Sequence, residues 1–165
     1  MKKLEPPDTF HLNAARGWIG LGDLVSASNE LEEITPELRA HPDVLLLRCE
    51  IYHRAKKWDA LLAVAETLVK MIPKNSQVWI YRSFALHKFK RTQEAFDLLQ
   101  PAATLFPDQW LIPYNLACYT AQLARLKDAR AWLDKAIAIG DAKAIKLFAL
   151  ADPDLQPLWP TIPQS

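Results

Sequence analysis

The sequence predicts an all-α solenoid of four helix–turn–helix repeats closed by a C-terminal capping segment. Three observations carry that prediction. A unit reading helix, short basic turn, helix and Pro-Asp stop occupies residues 76–108 and recurs at a spacing of 34 residues, the period of a stacked helix-pair array. Small residues return at two fixed places in successive units, where packed helices must approach closely. Hydrophobic residues make up 50% and charged residues 24% of the 165, a globular balance that can fill one continuous core.

Marks at Asp8, Pro42, Ser76 and Trp110 place repeats at about 8–41, 42–75, 76–109 and 110–143, with a cap at 144–165, all in one domain, 1–165. The eighth places hold Ala15, Cys49, Ser83 and Ala117, and the twentieth hold Ala27, Leu61, Ala95 and Ala129. The eleventh hold Trp18, Tyr52, Leu86 and Thr120. In the first unit Pro36 stops the second helix near Thr35, and Gly22 before Asp23 marks the turn. The third carries Pro101 inside its second helix, where a lost amide and a ring clash cost roughly 3 kcal/mol and force a kink or break. Pro113 in the fourth is tolerated only in a first turn. The tail opens as a helix with Ile145, Phe148 and Leu150 near one side. It continues as ADPDLQPLWP, where prolines stop the helix while Leu155, Leu158 and Trp159 remain to cover the apolar face of the last pair.

At these residues the chain resembles the tetratricopeptide repeat family, over about Asp8 to Asp141, with the third unit most alike through Trp79, Ser83, Leu86, Ala95 and Pro107. The closing stretch is also similar to that of many small bacterial tetratricopeptide proteins of unassigned activity. The resemblance implies a right-handed α-solenoid and a non-catalytic scaffold or adaptor. Residues i, i+4 and i+7 share one side of a helix. Trp79, Ser83 and Leu86 then pack within the repeat, and the neighbouring stripe implies a concave groove for a partner's peptide or helix. Carried over unit by unit, that groove takes Leu12, Asn13, Arg16 and Ile19 from the first unit and Leu46, Leu47, Glu50, His53 and Arg54 from the second. The third gives Gln77, Ile80, Tyr81, Phe84, His87 and Lys88, and the fourth Leu111, Tyr114, Asn115, Cys118 and Gln122.

An apolar row through Leu12, Leu46, Ile80 and Tyr114, edged by Arg54 and Lys88, suits an amphipathic helix or an extended segment with acidic residues. The alternative is that Leu46, Leu47 and Phe84 are ordinary core. Asn13 and Asn115 occupy equivalent places where an amide can grip main chain, but Leu47 and Tyr81 interrupt the ladder. The family's clamp for chaperone tails is missing its lysine, asparagine and arginine set. Between paired helices, Arg54, Lys56 and Lys57 recur as Lys88, Lys90 and Arg91, then as Arg125 and Lys127, a basic rim that is either a solvated face or a dock for an acidic partner.

Several classes are excluded or disfavoured. A net charge of +1 supplies no field toward nucleic acid or membrane. No run of ~18 uncharged apolar residues exists to span a bilayer, and Pro6, Pro7 and Asp8 interrupt any secretory leader. Two cysteines, Cys49 and Cys118, read as reduced thiols of a cytoplasmic protein. His53 and His87 lie one repeat apart, and as neighbours beside Glu50 they could tune binding with pH, but they lack the further ligands of a metal site. Residues 17–22 hold three of the four glycines at the wrong spacing for a phosphate loop. No cofactor, metal or catalytic set is expected. The remaining alternatives are a small secretion-type chaperone, a homodimer through Trp18, Ile19 and Trp159, and an enzyme or sensor built on the histidines or Cys118.

Overall fold

Helix boundaries in this chain are set by its turns. The computed structural model describes residues 3–162; the first two residues and the last three of the expected cap lie outside them. The helices are α1 (Asp8–Leu21), α2 (Leu24–Glu33), α3 (Pro42–Arg54), α4 (Trp58–Met71), α5 (Ser76–Lys88), α6 (Thr92–Leu99), α7 (Ala102–Leu105), α8 (Leu111–Gln122), α9 (Leu126–Ile139) and α10 (Ala142–Ala151). Short 3-10 segments cover Pro36–Leu38 and Pro153–Thr161. No strand occurs among the described residues. The chain divides into two compact units, residues 1–81 and 82–165, with the boundary inside α5.

The first helix of every repeat ends in the same way. Gly22, Lys56, Lys90 and Ala124 share one repeat position, and all have positive φ, from 56° to 83°. Each closes a paired set of bonds that satisfies the last carbonyls of its helix. In the first repeat, Gly22 N–H donates to Ile19 O (3.1 Å) and Asp23 N–H to Trp18 O (3.0 Å). In the third, the pair is Lys90 to His87 O (2.9 Å) and Arg91 to Leu86 O (3.0 Å), and the second and fourth repeat the pattern. The sequence signals the left-handed conformation of this turn only through Gly22; the other three place a Cβ in a conformation that glycine adopts without cost.

The first unit is built from two helix pairs, α1 on α2 and α3 on α4. All the small residues at the eighth and twentieth places of these repeats are fully buried, as are Leu31, Ile34, Val44 and Leu68. Burying each such leucine or isoleucine is worth roughly 1.5–3 kcal/mol relative to exposure. Asp8 pins the pair: its carboxylate accepts from Thr35 N–H (2.7 Å) and from the Thr35 hydroxyl (3.2 Å). Helix α2 stops at Glu33, just before Pro36, as the sequence requires. Asp23 caps its start, accepting from Ser26 N–H at 2.9 Å.

In the second unit the break at Pro101 separates α6 from α7, and Pro113 lies in the first turn of α8. Helix α8 packs on α9, α6 and the 3-10 segment, while α10 lies against α9 and that segment. This surrounds α8: residues 112–121 are all buried. Ser83, the polar member of the small-residue set, accepts from the buried Tyr119 hydroxyl at 3.1 Å. The tail caps as expected through Leu155 and Leu158, but the expected face of α10 is corrected. Ile145 and Ala149, one helical turn apart, face inward, whereas Phe148 is 61% exposed and stacks on Trp110 at 6.4 Å between ring centroids.

Candidate functional site

The stripe predicted for partner binding divides by unit. In the first, Asn13 and Arg16 are exposed on α1, with Arg16 donating to the Asn13 side chain at 3.2 Å. On α3, Glu50 and Arg54 form an i,i+4 ion pair (2.7 Å), and Arg54 also donates to Ile19 O at the C-terminal end of α1 (3.0 Å). That contact places a cation where the helix carbonyls need one. His53 meets the Trp58 ring edge-on at 6.0 Å and Tyr81 at 5.8 Å. Burial, then the Glu50 carboxylate, pushes the Tyr81 phenol up to about 12. Gln77, Tyr81, Leu46 and His53 are half-buried, so this stripe offers aromatic, amide and charged groups together. Leu46 also edges an open depression with Pro42, Asp43, Ile72 and Lys74.

In the second unit the corresponding stripe is already in use by the chain's own tail. The Tyr114 hydroxyl donates to Asp152 Oδ2 (3.0 Å), the Cys118 thiol approaches the same oxygen at 3.5 Å, and Gln122 Nε2 donates to the Asp154 carbonyl (3.0 Å). His87 Nε2 donates to Asp154 Oδ2 at 3.0 Å, and its Nδ1 meets the Thr92 hydroxyl at 3.0 Å. The carboxylate fixes a proton on Nε2, whereas the hydroxyl can serve either state of Nδ1. The His87 hydrogen bond, with Lys88 and Lys90 adding, holds the Asp154 carboxyl below the usual carboxylate range against burial. Lys88 also lies 4.8 Å from the half-buried Phe84 ring, and Leu111 is half-buried.

Eight residues expected to line the groove lie in the interior: Leu12, Ile19, Leu47, Ile80, His87, Tyr114, Asn115 and Cys118. This corrects the expectation that a ligand reaches them directly. A helix covered on two sides has an apolar arc wider than one packing seam, so its second stripe merges with the core. Leu12 and Leu47 belong to the first unit's apolar cluster. Ile19, named for the groove and for a dimer, is buried there too, while Trp159 donates its indole N–H to Ala149 O (2.8 Å). The basic rim is partly paired: Arg91 grips Glu94 with two bonds of 2.8 and 2.7 Å, and Arg125 donates to Gln93 (2.7 Å).

Thiol and histidine chemistry is muted. Burial pushes the Cys49 thiol up to about 12, and burial followed by the Asp152 and Asp154 carboxylates raises Cys118 well above an ordinary thiol. Neither is activated as a nucleophile. Each histidine is engaged within its own unit, His53 by two aromatic rings and His87 by Thr92 and Asp154. Among the described residues no group of three or more His, Cys, Asp or Glu is arranged to hold a metal. No described helix is long and apolar enough to cross a membrane. Sequence reasoning missed Asp152, Asp154 and Thr92; the available signal was Asp-Pro-Asp following a helix, a turn whose carboxylates point back along the chain.

Helix pairs of 34 residues with buried small side chains at fixed places define a tetratricopeptide fold, and the solved structures agree. The chain is similar to a thermophilic tetratricopeptide-repeat protein of Thermus thermophilus, with a TM-score of 0.75 and 18% identity over 93% of this chain and 82% of that one. It is also similar to MamA (41-end) from Desulfovibrio magneticus RS-1, with a TM-score of 0.73 and 14% identity over 94% and 90%. MamA of AMB-1 matches with a TM-score of 0.65 and 21% identity over 76% and 69%. At these identities the likeness establishes the fold. No protein-family model matches the chain, and no curated protein does.

Proposed function

We propose that this chain is a non-catalytic cytoplasmic adaptor that holds a segment of a partner protein along the first helices of its repeats. One observation carries the reading: in the first unit, Asn13, Arg16, Glu50, His53, Arg54, Gln77 and Tyr81 present exposed or half-buried polar and aromatic groups on the stripe named from sequence. Such a surface can grip main chain through amides and anchor an apolar side chain against Tyr81. Fold likeness alone does not assign it, because function resides in sites.

The test is affinity capture from native extract with wild type and an Arg16→Ala/Tyr81→Ala variant, followed by direct titration of the captured protein. A partner retained by wild type and lost by the folded variant supports the groove. Equal retention by both overturns it. A second reading, self-association, draws on Phe10, Leu21 and Val25, which are 65%, 78% and 72% exposed on the first helix pair. A concentration-dependent dimer that Leu21→Glu/Val25→Glu abolishes would select that reading.

A further inference from the structure

The tail of the second unit is bound as a peptide ligand would be. Asp152 precedes Pro153, and the proline ring holds it extended, with ψ at 112°. Its Oδ1 accepts from Asp154 N–H (3.0 Å), which closes a tight turn and leaves Oδ2 facing α8. The turn's two carboxylates meet His87, Tyr114 and Cys118, and Gln122 reads a backbone carbonyl. Leu155 and Leu158 then bury their side chains at 0% and 3% exposure. Three of these four contacts come from one stripe of α8, the face that would otherwise be open to a partner.

The polar contacts of the hold are ones that another acidic segment could also make. His87 is the one ionisable cation among the four donors; the phenol, thiol and amide are neutral. Each contact is a side chain reaching a carboxylate or a carbonyl, the groups that any acidic segment carries. Resting on the reading of the first-helix stripe as a binding surface, we propose that residues 152–158 are an intramolecular occupant of a site that accepts a partner segment of the form Asp-x-Asp-Leu-x-x-Leu. The tail then sets a threshold: a partner must compete with a tethered ligand whose effective concentration is on the order of millimolar.

A fluorescein-labelled peptide of residues 151–162, titrated by anisotropy against the full chain, tests this. The Asp152→Asn/Asp154→Asn variant weakens the resident tail while keeping its leucines, and should bind the peptide at least about tenfold more tightly than wild type. Adding His87→Gln should abolish that gain, as should a peptide with both aspartates changed to asparagine. Asp154→Asn alone, which keeps the Asp152 turn, is the second variant should the double change impair folding. Equal affinity of wild type and folded variant, or a gain that survives the asparagine peptide, overturns the proposal. A wild-type dimer that the same substitutions dissociate would also overturn it, assigning the site to the tail of a second copy. The substitutions spare Arg16 and Tyr81, so failure here is distinguishable from failure of the first-unit groove.

Discussion

The repeated left-handed turn yields a prediction that needs no ligand. Lys56, Lys90 and Ala124 hold φ values of 56°, 62° and 58° at the position where the first repeat has Gly22 at 83°. A Cβ in the left-handed region costs about 1–2 kcal/mol. Glycine relieves that cost but adds unfolded-state entropy worth about 0.4–1 kcal/mol. The difference spans roughly 0–1.6 kcal/mol, and each substitution Lys56→Gly, Lys90→Gly and Ala124→Gly should stabilise by a value near its middle, about 0.5–1 kcal/mol. The sites are 34 residues apart and share no partner in their closing bonds, so the triple variant should gain roughly 1.5–3 kcal/mol. At about 2–4 °C per kcal/mol for a chain of this size, its Tm should rise by roughly 3–12 °C. The reverse change, Gly22→Ala, should lose a similar single-site amount through backbone strain alone, because its Cβ would meet nothing within 4 Å. Thermal and urea unfolding by circular dichroism measures each variant. Lys56→Ala and Lys90→Ala serve as controls that remove charge and keep the strain. Destabilisation by the glycines, or equal gains from the alanine controls, would refute the reasoning.

Three further outcomes are expected. Gly140→Ala would bring a Cβ to 2.6 Å from Ile145 Cδ1 and 2.9 Å from Trp110 Cγ, so it should cost about 1–3 kcal/mol in urea unfolding and shift the tryptophan emission. Ser83→Ala removes the acceptor of the buried Tyr119 hydroxyl and should cost about 1–3 kcal/mol, whereas adding Tyr119→Phe should recover part of that loss; strict additivity in the double-mutant cycle would count against the bond. Asp154 is held below its ordinary value by the His87 hydrogen bond, so its stabilising contribution is present above the unfolded-state value of about 3.9 and is lost as pH falls through the lowered folded value. Wild type should exceed Asp154→Asn in urea midpoint at pH 5, with the difference shrinking below pH 4; a difference that grows with acidification would contradict the pairing.

The helical class, the 34-residue period, the stop before Pro36, the break at Pro101 and the packing of the small residues were legible in the sequence. Each rests on local chemistry: which side chains lie one helical turn apart, and where a proline cannot donate. The left-handed turns were not legible at Lys56, Lys90 and Ala124, because the bonds that close each helix impose the conformation despite the residue type. Nor did periodicity separate groove from core at Leu12, Leu47 and Ile80, since a stripe's direction is fixed by the helix while its covering is fixed by what packs on it. Tertiary structure alone decided the fate of Tyr114, Cys118 and Gln122: a turn 32 to 38 residues further along the chain places Asp152 and Asp154 against them. Sequence spacing names the residues that can meet on one helix; which distant backbone comes to rest on them depends on the burial of Leu155 and Leu158, a property of the folded chain.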